Sequence, residues 1–134
     1  LEFRVSRGGN SGVFLRSPLE GDPAYAGMEI QILDDYAQEY SNLNPYQYTG
    51  SLYGVQAPSE RVAKEAGKWQ NMVITARGTR IEVVLNGRKI IDTDVTYHSY
   101  KAGMHPGLMR ESGFIGLQNH GSRVEFRNIR IREL

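Results

Sequence analysis

The sequence contains no cysteine among its 134 residues. Disulfide bonds, thiolate metal sites and cysteine nucleophiles are therefore excluded. No apolar run approaches the roughly 20 residues that a membrane-spanning helix needs. Neither sign of charge is in excess, since 16 Lys and Arg against 15 Asp and Glu give a net charge of +1. This balance argues against a protein that binds nucleic acid or a membrane surface mainly by electrostatics.

Several motifs that would indicate other chemistries are also missing. No acidic spacing matches a calcium loop, no histidine pair has zinc-ligand spacing, and no Gly-x-Ser-x-Gly elbow is present. Gly8 and Gly9 lack the Lys-Ser/Thr pair of a phosphate-binding loop. The sequence therefore requires no cofactor, although Asp22, Asp34 and Asp35 offer oxygen ligands and a divalent cation stays an open alternative. The chain opens at Leu1 without a signal peptide, and we expect its natural beginning to lie upstream.

The dominant pattern is a two-residue alternation, which is typical of strands. Eight short segments lie at 1–5, 13–16, 28–32, 72–76, 81–85, 88–92, 114–118 and 124–131. Asn86-Gly87 between two apolar runs predicts a tight hairpin, because both residues accept a positive φ. With 15 glycines in the turns, the pattern predicts an all-β sandwich. The length favours one domain over 1–134.

Two local features depart from this pattern. Good helix formers from Ser59 to Ala66, with Ser59 as a capping residue, predict a helix of at most two turns. Val124 and Phe126 share one parity whereas Ile129 and Ile131 share the other, which indicates a β-bulge near Arg127 and Asn128.

Two stretches fit neither strand nor helix. The first runs from Asp34 to Gly67 and the second from Thr96 to Ser112. The first contains five of the eight tyrosines, namely Tyr36, Tyr40, Tyr46, Tyr48 and Tyr53. Long loops in compact domains are commonly functional. The tyrosines could equally form a small core that belongs to the loop itself.

Polar residues on the outward parity of several strands form a candidate site. Glu29 and Gln31 project from one strand about 7 Å apart. If the strands are neighbours, the same sheet face carries Arg16, Glu29, Gln31, Gln118 and His120. Acid, base and amide groups rimmed by tyrosines suit a sugar. Simpler interpretations stay open: a solvated strand face, a turn around His120, and a strand end at Asp34 and Asp35.

Several ordered motifs resemble one known family, the 3-keto-disaccharide hydrolases. The first half contributes residues 9–16 (GNSGVFLR), 27–34 (GMEIQILD) and 49–54 (TGSLYG). The second half contributes residues 67–71 (GKWQN), 85–87 (LNG), 113–121 (GFIGLQNHG) and 126–134 (FRNIRIREL). The resemblance covers essentially the whole chain, and several motifs in order are more specific than any one of them.

The resemblance implies a concanavalin A-like jelly roll, in which two antiparallel sheets form a concave face that holds carbohydrate. Members of the family are mostly bacterial and exported, so we expect a periplasmic or extracellular protein that acts in glycan breakdown. Family domains carry additional strands before the position of Leu1, and the resemblance therefore implies that this chain lacks its N-terminal strands. An open sheet edge would follow.

The same resemblance narrows the chemistry. Laminarinase-type glucanases of this fold place two or three acids on one strand and cleave through two carboxylates. Here Gln31 and Leu33 stand where the later acids would be, which argues against double displacement. A 3-keto sugar needs only a base that removes the acidified C2 proton, after which the enolate expels the C1 substituent and water adds back.

The hypothesis assigns these roles to named residues. Glu29 or His120 is the base, Arg16 and Gln118 hold the ketone, and Asp34 is a candidate acid or metal ligand. Gln31, Tyr53 and Asn10 complete the substrate-binding set. A noncatalytic carbohydrate-binding module and a structural sandwich are the alternatives. Catalysis predicts a perturbed acid in a deep pocket, a binding module predicts a shallow aromatic groove, and a structural sandwich predicts a Glu29 face covered by another chain.

Overall fold

The computed structural model describes residues 1–134, which form mainly antiparallel strands. The eight strands are β1 (Glu2–Val5), β2 (Asn10–Ser17), β3 (Met28–Leu33), β4 (Gln70–Arg77), β5 (Arg80–Leu85), β6 (Arg88–Asp94), β7 (Phe114–Leu117) and β8 (Val124–Arg127). One helix, α1 (Pro23–Ala26), joins β2 to β3, and 3-10 helices lie at Gln38–Tyr40, Pro45–Gln47, Val95–Lys101 and Pro106–Met109. None of these helices combines the length and apolar character needed to cross a membrane.

The strands form two antiparallel sheets that pack face to face. The larger sheet has the order β6-β5-β4-β1-β8 and the smaller one the order β3-β2-β7. A core of 18 buried residues lies between them and includes Phe3 of β1, Ile30 of β3 and Val83 of β5. Burial of each such side chain contributes roughly 1.5–3 kcal/mol. The predicted all-β jelly-roll sandwich of two antiparallel sheets is confirmed.

The hairpin predicted at Asn86-Gly87 is present. Leu85 pairs with Arg88 across the turn, and Asn86 and Gly87 have φ values of 51° and 81°. These are the left-handed conformations that a two-residue hairpin turn requires.

The helix predicted from Ser59 to Ala66 is wrong, because this segment has no regular helical structure. Its backbone is held by side chains from elsewhere. The Gln70 amide accepts from Lys64 N–H at 2.8 Å and donates to the Lys64 carbonyl at 3.3 Å. Asn86 donates to the Val62 carbonyl at 3.0 Å. These tertiary contacts satisfy the backbone of this segment and override its weak local helix propensity.

The last strand is also shorter than predicted. β8 ends at Arg127, and Asn128 adopts a φ of 51°. Ile129 and Ile131 are unpaired and mostly exposed. The change of parity therefore marks the end of a strand and not the bulge that the sequence indicated.

Neither irregular stretch contains an α-helix or a strand of the two sheets, as predicted, although each contains two 3-10 helices. The first one nevertheless contributes to the smaller sheet, because residues 49–53 run along the free edge of β3. Gln31 N–H donates to the Ser51 carbonyl at 3.1 Å, Gly50 N–H donates to the Gln31 carbonyl at 2.9 Å, and Tyr53 N–H donates to the Glu29 carbonyl at 2.9 Å. This edge segment fixes the position of Tyr53 beside β3.

Candidate active site

A row of three residues crosses the centre of the smaller sheet. Gln31 of β3 lies opposite Gly12 of β2. Just beyond β7, the Gln118 N–H donates to the Gly12 carbonyl at 2.9 Å. Paired residues of neighbouring strands point to the same face of a sheet. Because Gly12 has no side chain, a hollow is left between the two glutamine side chains.

The carboxyl group of Glu29 fills part of this hollow. Glu29 lies two residues before Gln31 on β3 and pairs with Phe14 of β2. A Cβ placed on Gly12 would collide with Glu29 Oε1. The Glu29 residue is only 3% exposed. An acidic side chain is thus buried at the sheet face where the sequence predicted a catalytic base.

The environment of Glu29 favours the protonated form of its carboxyl group. Burial, together with a smaller effect from the nearby negative charge of Asp22, raises the pKa of Glu29 from 4.5 to about 7. No hydrogen bond from the protein offsets these effects. A carboxyl group with a pKa near neutrality can take up and return a proton during a reaction.

Helix α1 brings two more residues to Glu29. Asp22 caps the helix, since its Oδ1 accepts from Ala24 N–H at 3.0 Å. The Tyr25 ring lies edge-on to the Tyr53 ring, with centroids 6.5 Å apart. On its other side Tyr25 stacks on the buried ring of His105 at 4.9 Å. The ring position of Tyr25 is therefore determined by aromatic contacts from two loops.

These elements enclose one cavity of about 230 Å³. It is lined by Asn10, Asp22, Ala24, Tyr25, Glu29, Gln31, Tyr53, Gln118 and His120. Two side-chain carbonyl oxygens in its wall, Asn10 Oδ1 and Gln118 Oε1, are buried without a hydrogen-bond partner. Buried polar atoms are normally satisfied, so these two acceptors are suited to hydroxyl groups of a ligand.

The structure brings together six of the eight residues that the sequence placed in the site. They are Asn10, Glu29, Gln31, Tyr53, Gln118 and His120. Tyr53 of the tyrosine-rich stretch therefore meets the polar strand face, as the sequence predicted. His120 is exposed at the rim.

Two predicted residues lie outside the cavity. Arg16 has a φ of 51° at a register shift in β2, and its guanidinium donates to the Arg110 carbonyl at 3.1 Å. Asp34 accepts from Gly8 N–H at 2.9 Å and from Tyr36 N–H at 3.3 Å. Both side chains bind loop backbone and do not line the cavity. The strand alternation is broken at Arg16 and ends before Asp34.

The sequence did not place Asp22 or Tyr25 in the site, and it identified Asp22 only as a possible oxygen ligand for a cation. Asp22 followed by Pro23 has the signature of a helix start, in which a capping acid precedes a proline at the first helical position. That signal could have predicted α1. Its position over the cavity could not be predicted, because it depends on packing between α1 and the distant 3-10 helix Pro106–Met109.

A larger cavity of about 320 Å³ lies in the tyrosine-rich stretch. Its walls include Pro45, Tyr48 and Arg61. The Arg61 guanidinium lies 3.6 Å from the centroid of the Tyr48 ring. This cavity contains none of the predicted catalytic residues. The structure also has no group of three or more His, Asp or Glu side chains arranged to hold a metal ion.

Comparison with known proteins agrees with this architecture. The profile of the 3-keto-alpha-glucoside-1,2-lyase-like domain matches residues 1–132. The chain belongs to this family, which confirms the resemblance drawn from its motifs. A curated relative from Bacteroides thetaiotaomicron, named 3-keto-disaccharide hydrolase, is 27% identical over 165 aligned positions. The alignment covers 100% of this chain and 57% of that relative.

Solved structures show the same fold. A proposed glycosyl hydrolase from Parabacteroides distasonis has a TM-score of 0.83 and 29% identity, over 100% of this chain and 76% of that chain. Another proposed glycosyl hydrolase from the same bacterium has a TM-score of 0.75 over 92% of this chain and 63% of that chain. Its identity of 24% supports the fold alone.

Proposed function

We propose that this chain carries the catalytic site of an enzyme that cleaves 3-keto-glycosides by proton abstraction, elimination and hydration. The observation that carries the proposal is Glu29, a buried carboxyl group without a protein hydrogen bond and with a pKa of about 7. It lies in a cavity whose wall also presents unpaired amide oxygens. The name of the Bacteroides relative supports the choice of a keto sugar as substrate.

The chemistry begins at C2 of the keto sugar. The C3 ketone acidifies the C2 proton, so that a single carboxylate of suitable pKa can remove it. The Glu29 carboxylate takes the proton, and the resulting enolate expels the oxygen at C1. Water then adds at C1 and a proton returns to C2, which gives net hydrolysis. This series of reaction steps needs no second carboxylate on β3, where Gln31 and Leu33 follow Glu29.

The remaining groups of the cavity bind and orient the sugar. The unpaired side-chain oxygens of Asn10 and Gln118 accept hydrogen bonds from sugar hydroxyl groups. The NH2 group of Gln118 donates to the ketone or its enolate, where hydrogen-bond donors stabilise developing charge. Gln31 and Tyr53 orient the ring, and His120 contacts the substrate at the rim. Arg16 and Asp34 have no role in this scheme, because both are occupied by loop backbone.

Two features favour catalysis over a carbohydrate-binding module. A binding module requires a groove with aromatic faces, and no carboxyl group with a raised pKa. Here the acid is almost fully buried, and its pKa is raised towards neutrality. Desolvating a carboxylate costs free energy, and a perturbed acid in a cavity is typical of catalytic sites. We also propose that the protein acts outside the cytoplasm, as expected from the family resemblance.

A paired turnover assay tests the proposal. The protein is offered a 3-keto-glucoside and its unoxidised parent, each with and without EDTA, and release of the aglycone is followed. Release from the keto sugar alone is expected. Loss of release in EDTA would add a metal ion to the scheme. Release from the parent sugar would contradict elimination, and binding of glycans without release from either sugar would favour the binding module.

A further inference from the structure

Tyr25 lines the same cavity as Glu29 but from a different element. Glu29 lies on β3, whereas Tyr25 lies on helix α1 and is partly exposed. The negative charges of Asp22 and Glu29 both act on the Tyr25 hydroxyl. A base and a second proton-bearing group therefore share one small volume. Elimination from a glycoside uses both kinds of group, because a proton leaves C2 and the departing oxygen must gain one.

The ring of Tyr25 is held on both sides. It stacks on His105 with an interplanar angle of 28° and a centroid distance of 4.9 Å. The Tyr53 ring meets it at 78°. His105 is itself fixed, since a Cβ on Gly54 would lie 2.6 Å from its ring. A general acid has to be placed within hydrogen-bond reach of the atom that it protonates, and these contacts hold the hydroxyl in a defined place.

The hydroxyl of Tyr25 remains a proton donor at neutral pH. Burial is the main cause that raises the pKa of Tyr25, and the neighbouring Tyr53, Asp22 and Glu29 act in the same direction. Asp34 is a less suitable candidate for the acid, because it is outside the cavity and accepts hydrogen bonds from backbone amides. Tyr53 lines the same cavity, so the test below compares the two tyrosines directly.

We propose that Tyr25 is the catalytic acid that protonates the departing glycosidic oxygen. This assignment rests on the proposed function, since it supplies the proton donor that the elimination needs. His105 is then a positioning residue, which acts by holding the Tyr25 ring.

The step balances without an outside reagent. Glu29 takes the proton from C2, the C2 electron pair forms the C1–C2 double bond, and the C1–O bond breaks. The departing oxygen takes the proton of the Tyr25 hydroxyl, which leaves a tyrosinate and a protonated Glu29. The protonated Glu29 exchanges its proton with solvent. When water adds to C1, the tyrosinate takes a proton from that water and Glu29 delivers the solvent-derived proton to C2. Both residues end in their starting states.

The test compares two leaving groups in the same 3-keto-glucoside. A sugar alcohol needs a proton in order to depart, whereas 4-nitrophenolate departs as an anion. Tyr25→Phe is expected to lower kcat for the disaccharide by roughly 10²-fold or more, within the range of general acid catalysis. Release of 4-nitrophenol should change by only a few fold. Tyr97→Phe, a change at an exposed tyrosine, is the matched control, and melting temperatures verify folding.

Each result supports or overturns the assignment. Selective loss of disaccharide cleavage supports Tyr25 as the acid. An equal loss with both leaving groups, or no loss with either, overturns it. The same selective loss in Tyr53→Phe and not in Tyr25→Phe would assign the role to Tyr53 and also overturn it. Failure of the unmodified protein to cleave either keto sugar would overturn the proposed function, and the acid role with it.

Discussion

Gly12 and Glu29 share one space on the face of the smaller sheet. The Glu29 carboxyl group occupies the volume that a Cβ on Gly12 would take. The two residues lie on neighbouring strands, β2 and β3, and Gly12 pairs with Gln31 two positions from Glu29. The missing side chain at Gly12 thus lets a carboxyl group lie flat and buried against the sheet. The burial that results is the main cause of the raised pKa of Glu29.

Gly12→Ala should therefore disable the site. The added methyl group must displace the carboxyl group of Glu29 or move the strand, and we expect kcat to fall at least tenfold. A misplacement of about 1 Å can cost on the order of 10²-fold in rate. Gly103→Ala is the matched control, because a Cβ there meets nothing within 4 Å. Full activity of the Gly12 variant would contradict the geometry described here.

Glu29→Gln should lower kcat for a 3-keto-glucoside by roughly 10²–10⁴-fold, because the amide cannot accept the C2 proton. Glu133→Gln, in the exposed tail, should be without effect.

In the unmodified protein kcat/KM should rise with pH through about 7, as the Glu29 carboxyl group ionises. His120→Ala separates the two candidate bases. If both Glu29→Gln and His120→Ala retain full turnover, neither residue is the base.

Glu29 should also make the stability of the protein depend on pH. Its pKa is 4.5 for the ordinary group and about 7 when folded, so the folded protein binds the proton more tightly. The contribution of Glu29 to the free energy of unfolding is therefore largest below pH 4.5 and is lost as the pH rises through about 7. At 1.36 kcal/mol for each pKa unit, the full loss is about 3 kcal/mol.

The free energy of unfolding, measured with urea at pH 5 and pH 8, checks this contribution. Glu29→Gln removes the charge, so it should stabilise the protein at pH 8 relative to the unmodified chain and have much less effect at pH 5. A variant with the same difference at both pH values would show that the carboxyl group is not desolvated in the folded protein.

His105 should act through Tyr25 and not through its own proton. His105→Ala removes the ring that stacks on Tyr25, and we expect kcat to fall by roughly ten to a hundredfold. His105→Phe restores a flat ring and should recover most of that loss, with an unchanged pH profile. Burial lowers the pKa of His105, which agrees with a neutral packing residue. No recovery in the Phe variant would indicate that the imidazole itself is required.

The parts of the fold that were predicted from the sequence are those set by local patterns. Alternation located the strands, and Asn86-Gly87 located a hairpin, because both signals depend on neighbouring residues. The segment from Ser59 to Ala66 was predicted incorrectly, since its conformation depends on Gln70 and Asn86 from the larger sheet. Local propensity contains no information about such distant partners.

The candidate site follows the same division. Glu29, Gln31 and Gln118 were grouped correctly because strand parity places them on one face. Arg16 was wrongly assigned to the cavity, because alternation does not reveal its positive φ at the end of β2. Tyr25 was missed because it reaches the site through α1, whose place depends on contacts with His105 and the segment after it.

The most direct test of elimination is the fate of hydrogen at C2. A 3-keto-glucoside is cleaved in deuterium oxide by the unmodified protein, and the released sugar is analysed by mass spectrometry and NMR. Substrate incubated with Glu29→Gln controls for exchange without catalysis. One deuterium is expected at C2 of the released sugar, because Glu29 removes the original proton and solvent supplies the new one. Release of a sugar that keeps its original hydrogen at C2 would contradict it.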